Sequence, residues 1–159
     1  MNRRFLIRRA VPAIGVAFAA GWLPRRLLAA APMAGPDDWP VDAFHAESVD
    51  DVQRLLFGDV RAEESDRIAI TAPDIAENGR VVPVEVVLDL PAPRTLVLLS
   101  ESNPFPLLAR VHFGPAVLPR VAQRVKLGGS GNLIALVEGE GALHRASRWV
   151  KVTSGGCGG

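Results

Sequence analysis

The chain has one cysteine in 159 residues, three histidines, and no acidic residue among its first 31 positions. A single thiol excludes an internal disulfide framework, so packing alone must hold the fold together. His45, His112 and His144 lie far apart, with no pair at the i, i+3 or i, i+4 spacing of a helical metal site. Neither a zinc centre nor a Cys–His nucleophile is suggested, and no metal or cofactor is expected. The length is too small for two independent globular domains. Charge is also unevenly spread. Arg3, Arg4, Arg8, Arg9, Arg25 and Arg26 all fall in the acid-free start, and setting them aside leaves 12 cations against 17 anions, a net of −5 for the body. An acidic body with Lys and Arg scattered singly has no electrostatic footprint for phosphate backbones, which argues against a nucleic-acid partner.

A hydrophobic run long enough to cross a bilayer is missing as well. The apolar stretch Ala10 to Leu23 is about 14 residues long and is interrupted by Pro12, Gly15 and Gly21, whereas a spanning helix needs about 20. With a basic start before it and small residues after it, the stretch has the layout of an export signal. Asn2-Arg3-Arg4-Phe5-Leu6-Ile7-Arg8 resembles the twin-arginine pattern, with Asn2 and Leu6 departing from its commonest letters. Arg25 and Arg26 supply the second basic charge that such signals carry near the cleavage region. Residues 1–31 are therefore expected to be a cleaved signal, with the mature chain beginning between Ala31 and Gly35. The expected destination is the periplasm, reached by the twin-arginine route without stable membrane association.

Residues 37–44 read as a polar, proline-bounded entry. Ser48 with Asp51 three residues later is a capping-box signal, Val49, Val52, Leu55 and Leu56 repeat at helical spacing, and Gly58 follows as a C-cap. This predicts one amphipathic helix over 48–57, covering an end of the core. After Gly58 the period shortens to about 2. Strands are predicted at 67–72, 80–89, 94–100, 107–113, 120–127, 132–138 and 142–152, separated by Pro-, Gly- and Asn-rich turns, Asn78-Gly79 among them as a hairpin signal. About seven short strands argue for an all-β, immunoglobulin-like sandwich with an N-terminal helix. Gln123 interrupts the apolar face of Val121, Val125 and Leu127, which marks an edge or a bulge. Leu96-Val97-Leu98-Leu99 and Leu133-Ile134-Ala135-Leu136-Val137 are apolar on both faces, so these strands are either central or covered by a second chain.

The tail carries the chemistry. Cys157 stands between Gly155-Gly156 and Gly158-Gly159. Glycine has the widest backbone freedom and no side chain to pack, so residues 153–159 are expected to form a flexible arm. Five residue steps from Val152 to Cys157 allow roughly 17 Å of reach. A catalytic cysteine needs a fixed base and an ordered oxyanion site, which such an arm does not supply. A structural cysteine would be buried or paired. What remains is a thiol used as a handle, beside the plainer alternative of a disordered tail with an incidental cysteine. Nothing in the surrounding sequence depresses the thiol from its usual pKa of about 8.5, so activation is expected from partner enzymes.

The Gly-Gly-Cys-Gly-Gly tail, the twin-arginine-like leader, the Ile75-Ala76-Glu77-Asn78-Gly79 turn followed by Val82-Pro83-Val84, and the Asn103-Pro104-Phe105-Pro106 loop resemble the SoxY family. These are sulfur-carrier subunits of the periplasmic Sox thiosulfate-oxidising system, and the likeness runs from about Phe44 to Gly159. The resemblance implies that Cys157 holds sulfur intermediates covalently, with Gly155, Gly156, Gly158 and Gly159 as the swinging arm and residues 32–152 as the carrier domain. It implies a non-catalytic subunit paired with SoxZ and visited by SoxAX, SoxB and SoxCD. For Glu77 and Asn78 a structural role is favoured over partner contact. Two rival classes stand beside this reading. A thiocarboxylate carrier also ends in Gly-Gly, but it uses the terminal carboxylate and needs neither the cysteine nor a leader. The alternative kept open is an exported binding or assembly module that uses Cys157 for an intermolecular crosslink.

Overall fold

Ser48 begins the main helix as its spacing predicts. Its Oγ accepts the Asp51 amide at 3.1 Å and donates to the Asp51 carboxylate at 2.6 Å. That hydroxyl, helped by Arg54 at 2.8 Å, holds the Asp51 carboxyl below its ordinary value. The helix α2 runs Val49–Phe57, and Gly58, at φ +71°, closes it by donating its amide to the Arg54 carbonyl. Residues 39–139 and 141–154 are described by this computed structural model. All belong to the second of the two units into which the chain divides, Pro36–Gly159. A short helix, α1 (Val41–His45), precedes α2 where the sequence reads only as a polar entry. Five residues are too few to show a period, yet Ala43 is buried and Trp39 stacks on Phe44 with ring centroids 4.9 Å apart.

Nine strands follow: β1 (Ala62–Glu64), β2 (Ile68–Thr71), β3 (Ile75–Ala76), β4 (Val82–Leu88), β5 (Pro93–Ser100), β6 (Leu107–His112), β7 (Arg120–Val125), β8 (Gly131–Gly139) and β9 (Ala142–Val152). The seven longer ones coincide with the seven predicted. Strands β1 and β3, of three and two residues, are too short to alternate and were missed. The strands form two sheets, one in the order β1-β9-β8-β5-β6 with β3 also pairing β9, the other β2-β4-β7. Both β1 and β3 run parallel to β9, and the remaining pairs are antiparallel. Strand β7 is the edge that Gln123 signals. Its register with β4 is unbroken from Val82 opposite Val125 to Val87 opposite Arg120, so the polar residue marks an edge and not a bulge.

The two-faced strands are central. One face of β5 and β8 sends Leu96, Leu98, Leu133, Ala135 and Val137 against Val82, Val84, Val86 and Leu88 of β4. The other sends Val97, Leu99, Ile134 and Leu136 against Ala43 and Val52 of the helices, with Phe44, Leu56 and Phe57 half-buried around them. The helices therefore cover a broad sheet face and not an end of the core, and these runs need no second chain to cover them. Each fully buried Val, Leu or Ile contributes roughly 1.5–3 kcal/mol by leaving water. Among the described residues no helix is long and apolar enough to cross a membrane, and no His, Cys, Asp or Glu cluster could hold a metal ion.

Candidate functional site

The predicted site residues Cys157, Gly155, Gly156, Gly158 and Gly159 lie outside the described residues. The described structure shows the strand that leads to them and how that strand is held. Pairing between β8 and β9 stops at Gly131 opposite Val150. Beyond that point the side chain of Ser130 replaces the missing strand, accepting the Val152 amide at 2.9 Å and donating to the Val152 carbonyl at 3.3 Å. On the other side of β9, residues 74–79 form a clasp. Ile75 pairs with Lys151 and Ala76 with Val152. Lys151 donates its amide to the Asp74 carbonyl at 2.9 Å, Thr153 its amide to the Ala76 carbonyl at 3.0 Å, and Gly79 its amide to the Ser154 carbonyl at 2.8 Å. The Thr153 hydroxyl adds a bond to the Glu77 carbonyl at 3.2 Å.

The hairpin expected at Asn78-Gly79 is absent. A hairpin needs its flanking segments paired antiparallel with each other, whereas β3 pairs with β9 and β4 pairs with β2 and β7. Asn78 turns the chain by accepting the Arg80 amide on its side-chain oxygen at 2.9 Å, and the Gly79 carbonyl accepts the Leu127 amide at 2.7 Å. Of Glu77 and Asn78, the first serves the clasp by its carbonyl and the second the turn by its side chain. No periodic signal marks the clasp in the sequence, because nearly all its bonds are made by backbone. Thr153 and Ser154, read from composition as part of the arm, are held by it, so three residue steps and not five separate the last held residue from Cys157.

Neighbouring loops brace the same end of the sandwich. Arg148 on β9 donates to the Ala72 carbonyl at 3.1 Å and to the Asp74 carboxylate at 2.8 Å, fixing the start of the clasp. Asn103 joins the β5–β6 loop to the chain after β7, donating to the Lys126 carbonyl at 2.9 Å and accepting the Gly128 amide at 2.7 Å. An open, mostly apolar cavity of about 720 Å³ is lined by residues 71–73, 83–85 and 122–124, and its Pro73 side abuts Asp74 of the clasp. Around the root Arg80, Lys126 and Lys151 are exposed beside exposed Asp74 and Glu77, so no single sign of charge dominates.

The family model described as the sulfur oxidation protein SoxY matches residues 53–157, its last matched position being Cys157. Among solved structures, the sulfur carrier protein SoxY from Chlorobium limicola f thiosulfatophilum is 37% identical over 72% of this chain and 99% of that one, with a TM-score of 0.62. A superoxide reductase (neelaredoxin) from Ignicoccus hospitalis is 30% identical over 54% of this chain and 78% of that one, and its TM-score of 0.48 supports no inference. No curated protein matches the chain.

Proposed function

The chain belongs to the SoxY family of sulfur oxidation proteins, and from that premise we propose that it carries sulfur intermediates covalently on Cys157 during thiosulfate oxidation and presents them to partner enzymes. The observation that carries this reading is the family match running through Cys157, the only thiol in the chain. A braced strand end supports it, because a carrier needs a rigid body that delivers a short tether from a defined point. Gly155, Gly156, Gly158 and Gly159 supply that tether with backbone freedom and with no side chains to obstruct an enzyme entrance.

Coupling thiosulfate to the Cys157 thiol forms a sulfur–sulfur bond and releases one proton and two electrons, the electrons passing to the haem enzyme SoxAX. Hydrolysis by SoxB cleaves the bond between the sulfane sulfur and the sulfonate, releasing sulfate and a proton and leaving a persulfide on Cys157. Where SoxCD is present, it oxidises that sulfane sulfur. The carrier contributes the nucleophile, its position and its delivery, and no catalytic group. SoxZ is the proposed stable partner. The leader 1–31, export to the periplasm and the immunoglobulin type of the sandwich belong to the same proposal.

The test is a Cys157→Ser chain expressed in the native host in place of the wild type. Loss of thiosulfate oxidation with normal carrier abundance is expected. Normal oxidation by the variant would contradict the proposal.

A further inference from the structure

We propose that Ser130 is a positioning residue for the reactions at Cys157, its hydroxyl fixing the direction in which the cysteine-bearing tail leaves the body. The inference rests on the carrier reading above and assigns part of the delivery to one removable group.

Along an extended strand, successive residues turn their amides and carbonyls to alternate sides. The last residues of β9 divide in this way. Lys151 and Thr153 donate their amides to Asp74 and Ala76 of the clasp, while the amide and carbonyl of Val152 face the β8 side. Strand β8 does not reach them, because its pairing with β9 begins at Gly131 opposite Val150. A hydroxyl can both accept and donate, and that of Ser130 does so here, accepting the Val152 amide at 2.9 Å and donating to the Val152 carbonyl at 3.3 Å. Among the described residues it is the sole group that holds Val152 from this side. The loop that delivers Ser130 is itself held. Asn103, in the Asn103-Pro104-Phe105-Pro106 segment, donates to the Lys126 carbonyl at 2.9 Å and accepts the Gly128 amide at 2.7 Å, two residues before Ser130.

Removing that hydroxyl leaves the end of β9 hung from the clasp alone. A two-residue strand on one side lets the segment twist about its line of bonds, and the tail then leaves the body over a range of directions. Length cannot correct a misdirected root, since three residue steps put Cys157 at most about 11 Å from Ser154. A carrier whose tail points away from an enzyme entrance is not bound productively. KM then rises by the inverse of the competent fraction, whereas kcat, set after entry, stays the same. Ser130 is exposed and belongs to neither apolar core, so its replacement leaves the packing intact. The other bonds at the root run mainly between backbone atoms, which side-chain substitution does not remove.

The experiment couples thiosulfate to the full chain, with its stable partner, using SoxAX and added ferricytochrome c as electron acceptor, and follows the initial rate against carrier concentration. Wild type is compared with Ser130→Ala and Ser130→Thr. Ser130→Ala should raise KM about threefold to tenfold at unchanged kcat, with the urea midpoint and the alkylation rate of free Cys157 by iodoacetamide also unchanged. Its Val152 amide should exchange with solvent several times faster. Ser130→Thr, which keeps the hydroxyl, should restore the wild-type KM. A wild-type KM in Ser130→Ala, or a raised KM that Ser130→Thr shares, would overturn the positioning role and leave the carrier reading standing. No coupling to the wild-type chain would overturn the carrier reading and the positioning role with it.

Discussion

The amide of Gly79 donates to the carbonyl of Ser154 at 2.8 Å, while the carbonyl of the same glycine accepts from Leu127 at 2.7 Å. One residue thus links the root of the cysteine-bearing tail to the chain leaving β7, and so to both sheets. The point from which the tail departs is set by the body and not by the tail itself.

Replacing Thr153 by Val tests that clasp. The change removes the hydroxyl bond to Glu77 at an exposed site, so global stability should fall by less than about 1 kcal/mol. Locally the effect is larger, and the Thr153 and Gly79 amides should exchange with solvent several times faster, as read by hydrogen exchange in solution. Unchanged protection of both amides would show that the backbone bonds hold the root unaided.

Gly131 sets the end of β8 under the β5–β6 loop. A Cβ placed there would lie 3.2 Å from the Ser102 Cβ and 3.4 Å from its amide nitrogen. Ser102 has little room to yield, since its hydroxyl is bonded to Ser100 at 3.0 Å and the adjacent Glu101 amide to Asn132 at 3.1 Å. Gly131→Ala gains about 0.4–1 kcal/mol by restricting the unfolded chain, but overpacking costs about 1–3 kcal/mol. Net destabilisation of about 1 kcal/mol is expected in urea unfolding, with part of it recovered by adding Ser102→Gly. Stabilisation by Gly131→Ala alone would contradict this packing.

Acid should weaken the fold through His112. His112 is exposed at the end of β6, and partial desolvation of its ring, then the neighbouring Arg110 charge, lower its pKa, with Glu138 opposing them, while Thr95 holds the ring by a hydrogen bond of 3.2 Å. The folded chain therefore binds this proton less readily than the unfolded chain, whose histidine titrates at about 6.5. Its contribution is complete above that value and is lost as pH falls toward the lowered folded value. A His112→Gln chain should lose less urea stability than wild type between about pH 7.5 and 5. Equal losses in the two chains would show that other groups set the acid response.

How legible all this was in the sequence depends on element length and on which atoms make the contacts. Strand β4 buries one face and exposes the other, and β7 half-buries one face, so alternation reveals them. Helix α2 is legible from Ser48, Val52 and Gly58 together. The apolar runs of β5 and β8 show that both faces are covered, but not by what, because the covering groups, Val52 and Ala43 against Ile134 and Leu136, are far apart in the chain. The clasp is silent because its bonds run mainly between backbone atoms, which any residue but proline could make. Cys157 lies outside the described residues, and it is its setting in the sequence, a thiol between paired glycines, that singles it out for the proposal.

The most direct test of the central claim is the mass of the C-terminal peptide containing Cys157, taken from carrier isolated from native cells oxidising thiosulfate and kept free of reductant. The account predicts additions corresponding to sulfane and thiosulfonate groups, all removable by reductant and all absent from a Cys157→Ser chain. A Cys157 found only as a free thiol, or only as a disulfide with another protein chain, would contradict it.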